Sequence, residues 1–176
     1  HPIIGYMGTI NSTRLDGELL YQIISQRPDY SFVFTGPEDD GFRQHRIHSL
    51  KNAYFTGQKK VDELPAYITA YDVCINPQMV NDITDGNYPL KIDEYLAMGK
   101  PTVATSTHTM RHIFADHTHL ATNPEEWLSA IDRAVTEADD KELAKQRIAF
   151  AETHSWGHSV KKIYGIIDNF LKEKAT

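Results

Sequence analysis

Between Gly86 and Thr105 the sequence reads GNYPLKIDEYLAMGKPTVAT. Pro89 suits a first helical position and Gly99 suits the residue just past a helix end, so the spacing predicts a helix over residues 90–98. That helix would carry Lys91 at its mouth and Glu94 one turn further in. A carboxylate there can accept two hydrogen bonds from vicinal hydroxyls, while Lys91 and the positive end of the helix dipole favour a phosphate. Ribose beside a diphosphate would use all three features.

Two other stretches could take part in the same chemistry. In YMGTINSTRLDGELL, Gly8 permits a sharp turn and Asp16 can cap the helix that follows. Backbone N–H groups at such a turn can hold a phosphate, and Arg14 could add a charge-assisted contact. An ordinary turn with Arg14 in solvent fits the same residues. In YFTGQKKVDELP, a planar base could lie over the loop at Gly57 and bond to backbone near Gln58. Composition alone favours a plain connection from strand to helix there, and the acidic FTGPEDDGF stretch reads as loop. No G-x-G-x-x-G is present, which removes the nicotinamide and flavin fingerprint.

Several chemistries are disfavoured. The net charge of -6 and pI near 5.8 argue against a general nucleic-acid binder. Cys74 is the single cysteine, so no internal disulfide or multi-cysteine zinc site can form, and its place in DVCINP suits a small buried hydrophobe. His108 and His112 stand four apart and could pair on a metal, yet no H-E-x-x-H accompanies them, and a helix end with solvated imidazoles is more economical. Ser12, Ser106 and Ser155 lack the context of a nucleophile elbow. No apolar run approaches the length of a membrane span.

The elements that must position these residues alternate. Apolar, β-branched or aromatic runs at 3–7, 31–35, 53–56, 73–76, 102–104 and 119–121 read as buried strands. Amphipathic stretches at 17–26, 61–71, 90–98, 109–115 and 125–138 separate them. The pattern predicts an α/β, doubly wound parallel sheet of about six strands, Rossmann-like, with ligands at the loops beyond the strands' carboxyl ends. Residues 38–51 read as loop with one helical turn. The tail reads as two helices, broken at Trp156 and Gly157, that pack back on the domain. Residues 1–176 are expected to form a single domain, and the opening HPIIGYMG, without a methionine, suggests a piece of a longer polypeptide.

Taken in order, the strand and Gly8 loop, FTG, DELPAYITAYDVCINP and PLKIDEYLAMGKPTVAT resemble the C-terminal, nucleotide-sugar-binding half of GT-B glycosyltransferases, of the retaining group 1 or family 4 type. The resemblance covers nearly the whole chain. It implies that Glu94 bonds the ribose hydroxyls, that Gly8 and Thr9 approach the diphosphate, that Gly57 and Gln58 face the base, and that Asn87 and Tyr88 form the loop before the helix. The family's usual E-x7-E pair would put a glutamate at position 86, where this chain has Gly86, so Asp85, Asn87 or Lys91 becomes the substitute. The family's Arg and Lys pair on the diphosphate is represented by Arg14, with Lys91 as the second charge and both in the catalytic role.

The implied reaction moves a sugar from a nucleoside diphosphate to an acceptor hydroxyl with its anomeric configuration kept, in polysaccharide or glycoconjugate biosynthesis. No cofactor and no metal are expected. The implied partners are the donor, an acceptor glycan or lipid-linked glycan, and an N-terminal domain of the same polypeptide, without which the fragment is expected to bind nucleotide and not turn over. Its expected location is cytoplasmic, with any peripheral membrane contact coming from the other half. The alternative is a stand-alone regulatory domain that binds a nucleotide or phosphometabolite without catalysis.

Overall fold

The apolar runs spaced between helices become six parallel strands in the order β3-β2-β1-β4-β5-β6. The computed structural model describes residues 1–174. Its elements are β1 (Ile3–Met7), α1 (Gly17–Ser25), β2 (Ser31–Thr35), α2 (Asp40–Arg43), β3 (Ala53–Gly57), α3 (Leu64–Ala70), β4 (Val73–Asn76), α4 (Leu90–Ala97), β5 (Thr102–Thr105), β6 (His119–Ala121), α5 (Pro124–Thr136), α6 (Lys141–Thr153) and α7 (Trp156–Lys174). All six strands lie where the hydrophobic pattern placed them, and β3 and β5 each run one residue further.

Every residue of β4 and β5 is buried, as strands covered on both faces require. One face packs Ile4, Phe32 and Phe34 against Leu20, Ile23, Trp127 and Ile131 of α1 and α5. The other packs Met7, Cys74 and Ala104 with Ile68, Ile92, Leu96 and Ala151 of α3, α4 and α6. Local chemistry sets the helix ends. The Asp16 carboxylate accepts from the Leu19 N–H at 2.9 Å and starts α1. At the end of α4 the Lys100 N–H donates to the Tyr95 carbonyl (3.0 Å) and the Gly99 N–H to the Leu96 carbonyl (2.9 Å). That double return requires a left-handed residue, which Gly99 supplies at φ 71°.

Four local expectations are refined. The stretch 61–71 splits into a 3-10 turn (Val61–Glu63) and α3, because Pro65 offers no N–H and sits in the first turn of α3. The stretch 109–115 forms a single π turn (Met110–Phe114). Residues 38–51 hold two short helical turns, α2 and a 3-10 turn (Arg46–Ser49), because Phe42 and Ile47 both insert into the core. The break in the tail falls at His154 and Ser155, and Trp156 and Gly157, read as the break, open α7.

Packing back of the tail is carried by α6. Arg147, 5% exposed, is its anchor, with its guanidinium paired to Glu137 and reaching the Gly99 carbonyl at 3.4 Å. Along α7 the residues Ile163, Ile166, Ile167 and Phe170 share helical spacing yet stay exposed. Among the described residues no helix is long and apolar enough to cross a membrane.

Candidate nucleotide-binding cleft

The strand order puts β1 beside β4, and the chain leaves these two in opposite directions, so the loops beyond them part at the carboxyl edge of the sheet. Pairing of β1 with β4 ends at Gly5 and Cys74. Past that point the Met7 N–H donates to the Tyr95 hydroxyl at 2.8 Å. Tyr95 is fully buried in α4, so this bond holds α4 to the end of β1. Lys91, four residues earlier on α4, is thereby aimed across the gap.

A cleft of about 510 Å³ opens at this point. From the β1 side it is lined by Tyr6, Gly8, Thr9, Asn11, Arg14 and Leu15, and from the β4 side by Gln78, Asn87, Tyr88, Pro89, Leu90 and Lys91. Six of the ten residues proposed from the sequence, namely Gly8, Thr9, Arg14, Asn87, Tyr88 and Lys91, therefore meet in one cavity although the chain separates them by up to about eighty positions.

Charge in the cleft comes from two cations. The Arg14 side chain stands on one wall and the Lys91 ammonium on the other. Burial lowers the Lys91 pKa from 10.5 to about 8, with Glu94 pulling it up and Arg14 pushing it further down. An incoming anion would reverse the repulsive part of that balance. The amides at the turn contribute less than the sequence suggested, because the Gly8 and Ile10 N–H groups are spent on the Thr35 and Pro37 carbonyls, each at 2.9 Å. In their place α4 begins at the cleft with Pro89 as N-cap and, among the described residues, no side-chain acceptor over its first turn. Its positive end is therefore available to an anion.

The remaining proposed residues lie outside the lining. Glu94 is exposed on α4, its carboxyl pushed up by desolvation, drawn down by Lys91 and raised again by Asp93. Gly57 and Gln58 are exposed at the end of β3, two strands from β1. Asp85 is engaged elsewhere: its carboxylate accepts from the His108 N–H at 2.7 Å and so ties the loop before α4 to the loop after β5. Tyr88 donates to Asp93 at 2.6 Å, and the other oxygen of Asp93 meets His154 Nδ1 at 2.9 Å. The rings of His108 and His112 lie 4.2 Å apart, and among the described residues no three His, Cys, Asp or Glu side chains cluster as a metal site would need.

Sequence reasoning missed Tyr6, Asn11 and Gln78. Tyr6 and Gln78 carried a usable signal, since Tyr6 puts a polar group next to the end of β1 and Gln78 one two residues past β4, and each such group must find a partner. Asn11 carried none: its side chain accepts from the Thr13 N–H at 2.8 Å, a local turn contact that any loop Asn can make.

The chain is similar to known proteins in sequence and in fold. The chain is 27% identical over 168 residues to TuaH of Bacillus subtilis (strain 168), named as a teichuronic acid biosynthesis glycosyltransferase, matching 92% of this chain and 42% of that one. A sucrose-phosphate synthase from Thermosynechococcus elongatus superposes with a TM-score of 0.76 at 19% identity, over 98% of this chain and 46% of that one. Anabaena HepE, solved in complex with UDP, superposes with a TM-score of 0.74 at 14% identity, over 95% of this chain and 48% of that one. The chain thus spans less than half the length of each. Residues 1–137 match the family described as Glycosyl transferases group 1. The sheet order, the cleft at its switch point and this match lead to one conclusion: the chain belongs to the group 1 glycosyltransferase family.

Proposed function

We propose that this chain is the donor-binding half of a retaining, nucleotide-sugar-dependent glycosyltransferase. The observation that carries the reading is the pairing of Arg14 and Lys91 across a cleft at the point where the sheet reverses its winding. The diphosphate lies between these two cations and the open first turn of α4. Ribose reaches Glu94, whose two oxygens accept from its vicinal hydroxyls, and the base extends toward Gly57 and Gln58. Asn87 takes the place of the missing carboxylate at Gly86 nearest the sugar, since Asp85 is held by the His108 amide.

As the glycosidic bond breaks, negative charge grows on the leaving diphosphate. Cations fixed beside it stabilise that state more than the ground state, which is the differential binding that lowers a barrier. In this reading the nucleotide sugar is a substrate, and Arg14, Lys91 and the helix terminus balance its charge without a metal or cofactor. The acceptor, a glycan or lipid-linked glycan, is held by an N-terminal domain facing the cleft across its open side. Residues 1–176 act as one domain of that two-domain enzyme.

The test is calorimetric titration of this chain with UDP, GDP and ADP, with UDP first because HepE, which shares the fold, was solved with it. One of the three is expected to bind selectively. In Glu94→Ala that affinity is expected to fall by well over tenfold, because two hydrogen bonds to a charged group are lost, at about 1.5 kcal/mol or more each. Unchanged affinity in the variant would remove Glu94 from the ribose site. A coupled assay for nucleotide release is expected to show no sugar transfer by this chain alone, and turnover by it would refute the two-half reading.

A further inference from the structure

Tyr6 is the next-to-last residue of β1, with its ring buried, 2% exposed, and its hydroxyl at the rim of the cleft. Burial holds the phenol neutral well beyond the working range, Arg14 opposing only in part. Its one proton goes to the Thr9 carbonyl at 3.0 Å. Its lone pairs are then left for the Lys91 ammonium, which donates to it at 2.6 Å. The same ammonium stands 4.1 Å from the centroid of the Tyr6 ring. It also lies over the bare backbone of Gly8, where an added Cβ would come within 2.8 Å of Nζ. One side chain therefore ties the turn at Gly8 and Thr9 to the mouth of α4.

The charged and titratable groups facing Lys91 are Tyr6 from β1, Arg14 from the loop after β1, and Glu94 from its own helix. Arg14 repels the ammonium and Glu94 attracts it. Among the described residues, Tyr6 is the side chain to which Nζ donates a hydrogen bond. A lysine has a flexible stem and loses its proton readily when desolvated. Without this acceptor the stem would lose its fixed position, and a hydrogen bond that favours the charged form would be gone.

We propose that Tyr6 is a positioning residue for phosphate recognition, fixing the Lys91 ammonium over the Gly8 turn and keeping it protonated while the cleft is still empty of anion. The proposal deepens the donor-site reading and rests on it for the identity of the anion. Tyr6→Phe isolates the effect, because the ring and its cation–π contact remain while the hydroxyl goes.

The decisive experiment follows the Lys91 side chain by NMR in lysine-labelled, ligand-free protein, assigned with Lys91→Arg, from pH 6 to 11 in wild type and in Tyr6→Phe. The same two proteins are then titrated with UDP and with uridine at pH 6.5 and 8.5. Tyr6→Phe is expected to move the Lys91 titration down by about one pH unit. It is expected to weaken UDP about tenfold at pH 8.5 and under threefold at pH 6.5, with uridine unchanged. A Lys91 titration that stays put in Tyr6→Phe overturns the proposal, as does a UDP deficit equal at the two pH values, which a merely structural role would give. If wild type binds no nucleotide, the donor-site reading fails, while the NMR titration still decides whether Tyr6 controls Lys91.

Discussion

Lys91→Met is expected to weaken UDP binding thirtyfold or more at pH 7 while leaving the melting temperature unchanged or slightly higher. The affinity loss follows from removing one charge-assisted contact between a largely buried ammonium and a diphosphate, worth about 2 kcal/mol or more. The stability gain follows from burial. The folded chain holds Lys91 with a pKa near 8, below its value of 10.5 in the unfolded chain. Between those two pH values the unfolded state binds more protons, so wild-type stability rises with pH across roughly 8 to 10.5. Methionine fills a similar volume without a charge to desolvate and removes that slope.

Ligand binding has the opposite sign. A bound diphosphate is expected to raise the Lys91 pKa again from its value near 8, so above that pH binding should take up a proton and wild-type affinity should fall as pH rises. Titration calorimetry at pH 6.5, 7.5, 8.5 and 9.5, in two buffers of different ionisation enthalpy, reads both the affinity and the proton uptake. Lys91→Met should show a flat profile. A variant that keeps both the affinity and the pH slope of wild type would take Lys91 out of the anion site.

The strands were legible because each is a short apolar run and the sheet is covered on both faces, so that hydrophobicity and burial coincide along it. Arg14 and Lys91 were legible for another reason: each follows a helix or turn signal that depends on neighbours in sequence. What the sequence concealed was set by contacts between distant segments. Tyr6 reads as one more core aromatic until Lys91, eighty-five residues later, is brought to its hydroxyl. Asp85 looked as free as Asn87, but its carboxylate is used by an amide beyond β5, and only the docking of that loop reveals it. The turn at Gly8 promised open amides, yet the parallel neighbour β2 carries its own loop alongside and consumes them. The tail misled for a related reason, since the apolar spacing of α7 is that of a packed helix while its face in this chain stays open.

That crowding of loops makes Gly36 a sensitive position near the cleft. Gly36→Ala is expected to cost roughly 3–5 kcal/mol, combining strain at a φ of +147° with a collision, since overpacking and backbone strain each cost about 1–3 kcal/mol. An added Cβ would lie 2.0 Å from the Gly8 carbonyl oxygen and 2.7 Å from its carbon. Both are backbone atoms, so no rotamer change can relieve the contact. Relief has to come from moving the Gly8 turn off β2, against the Gly8 N–H bond to Thr35 and the Gly36 N–H bond to Gly57. For a domain of this size that corresponds to a fall in melting temperature of roughly 10 °C. Displacing Gly8 would also carry Thr9 and the Tyr6 contact away from Lys91, so UDP affinity should fall with stability. Gly57→Ala supplies the control, because its φ of +71° is also left-handed but no atom of the described residues lies within 4 Å of the new methyl. Strain alone should then cost it only about 1 kcal/mol. Thermal melts of the two variants separate collision from conformational strain. Equal, small shifts in both would mean that the β1 and β2 loops give way freely, and that the turn at Gly8 is not the rigid wall the cleft requires.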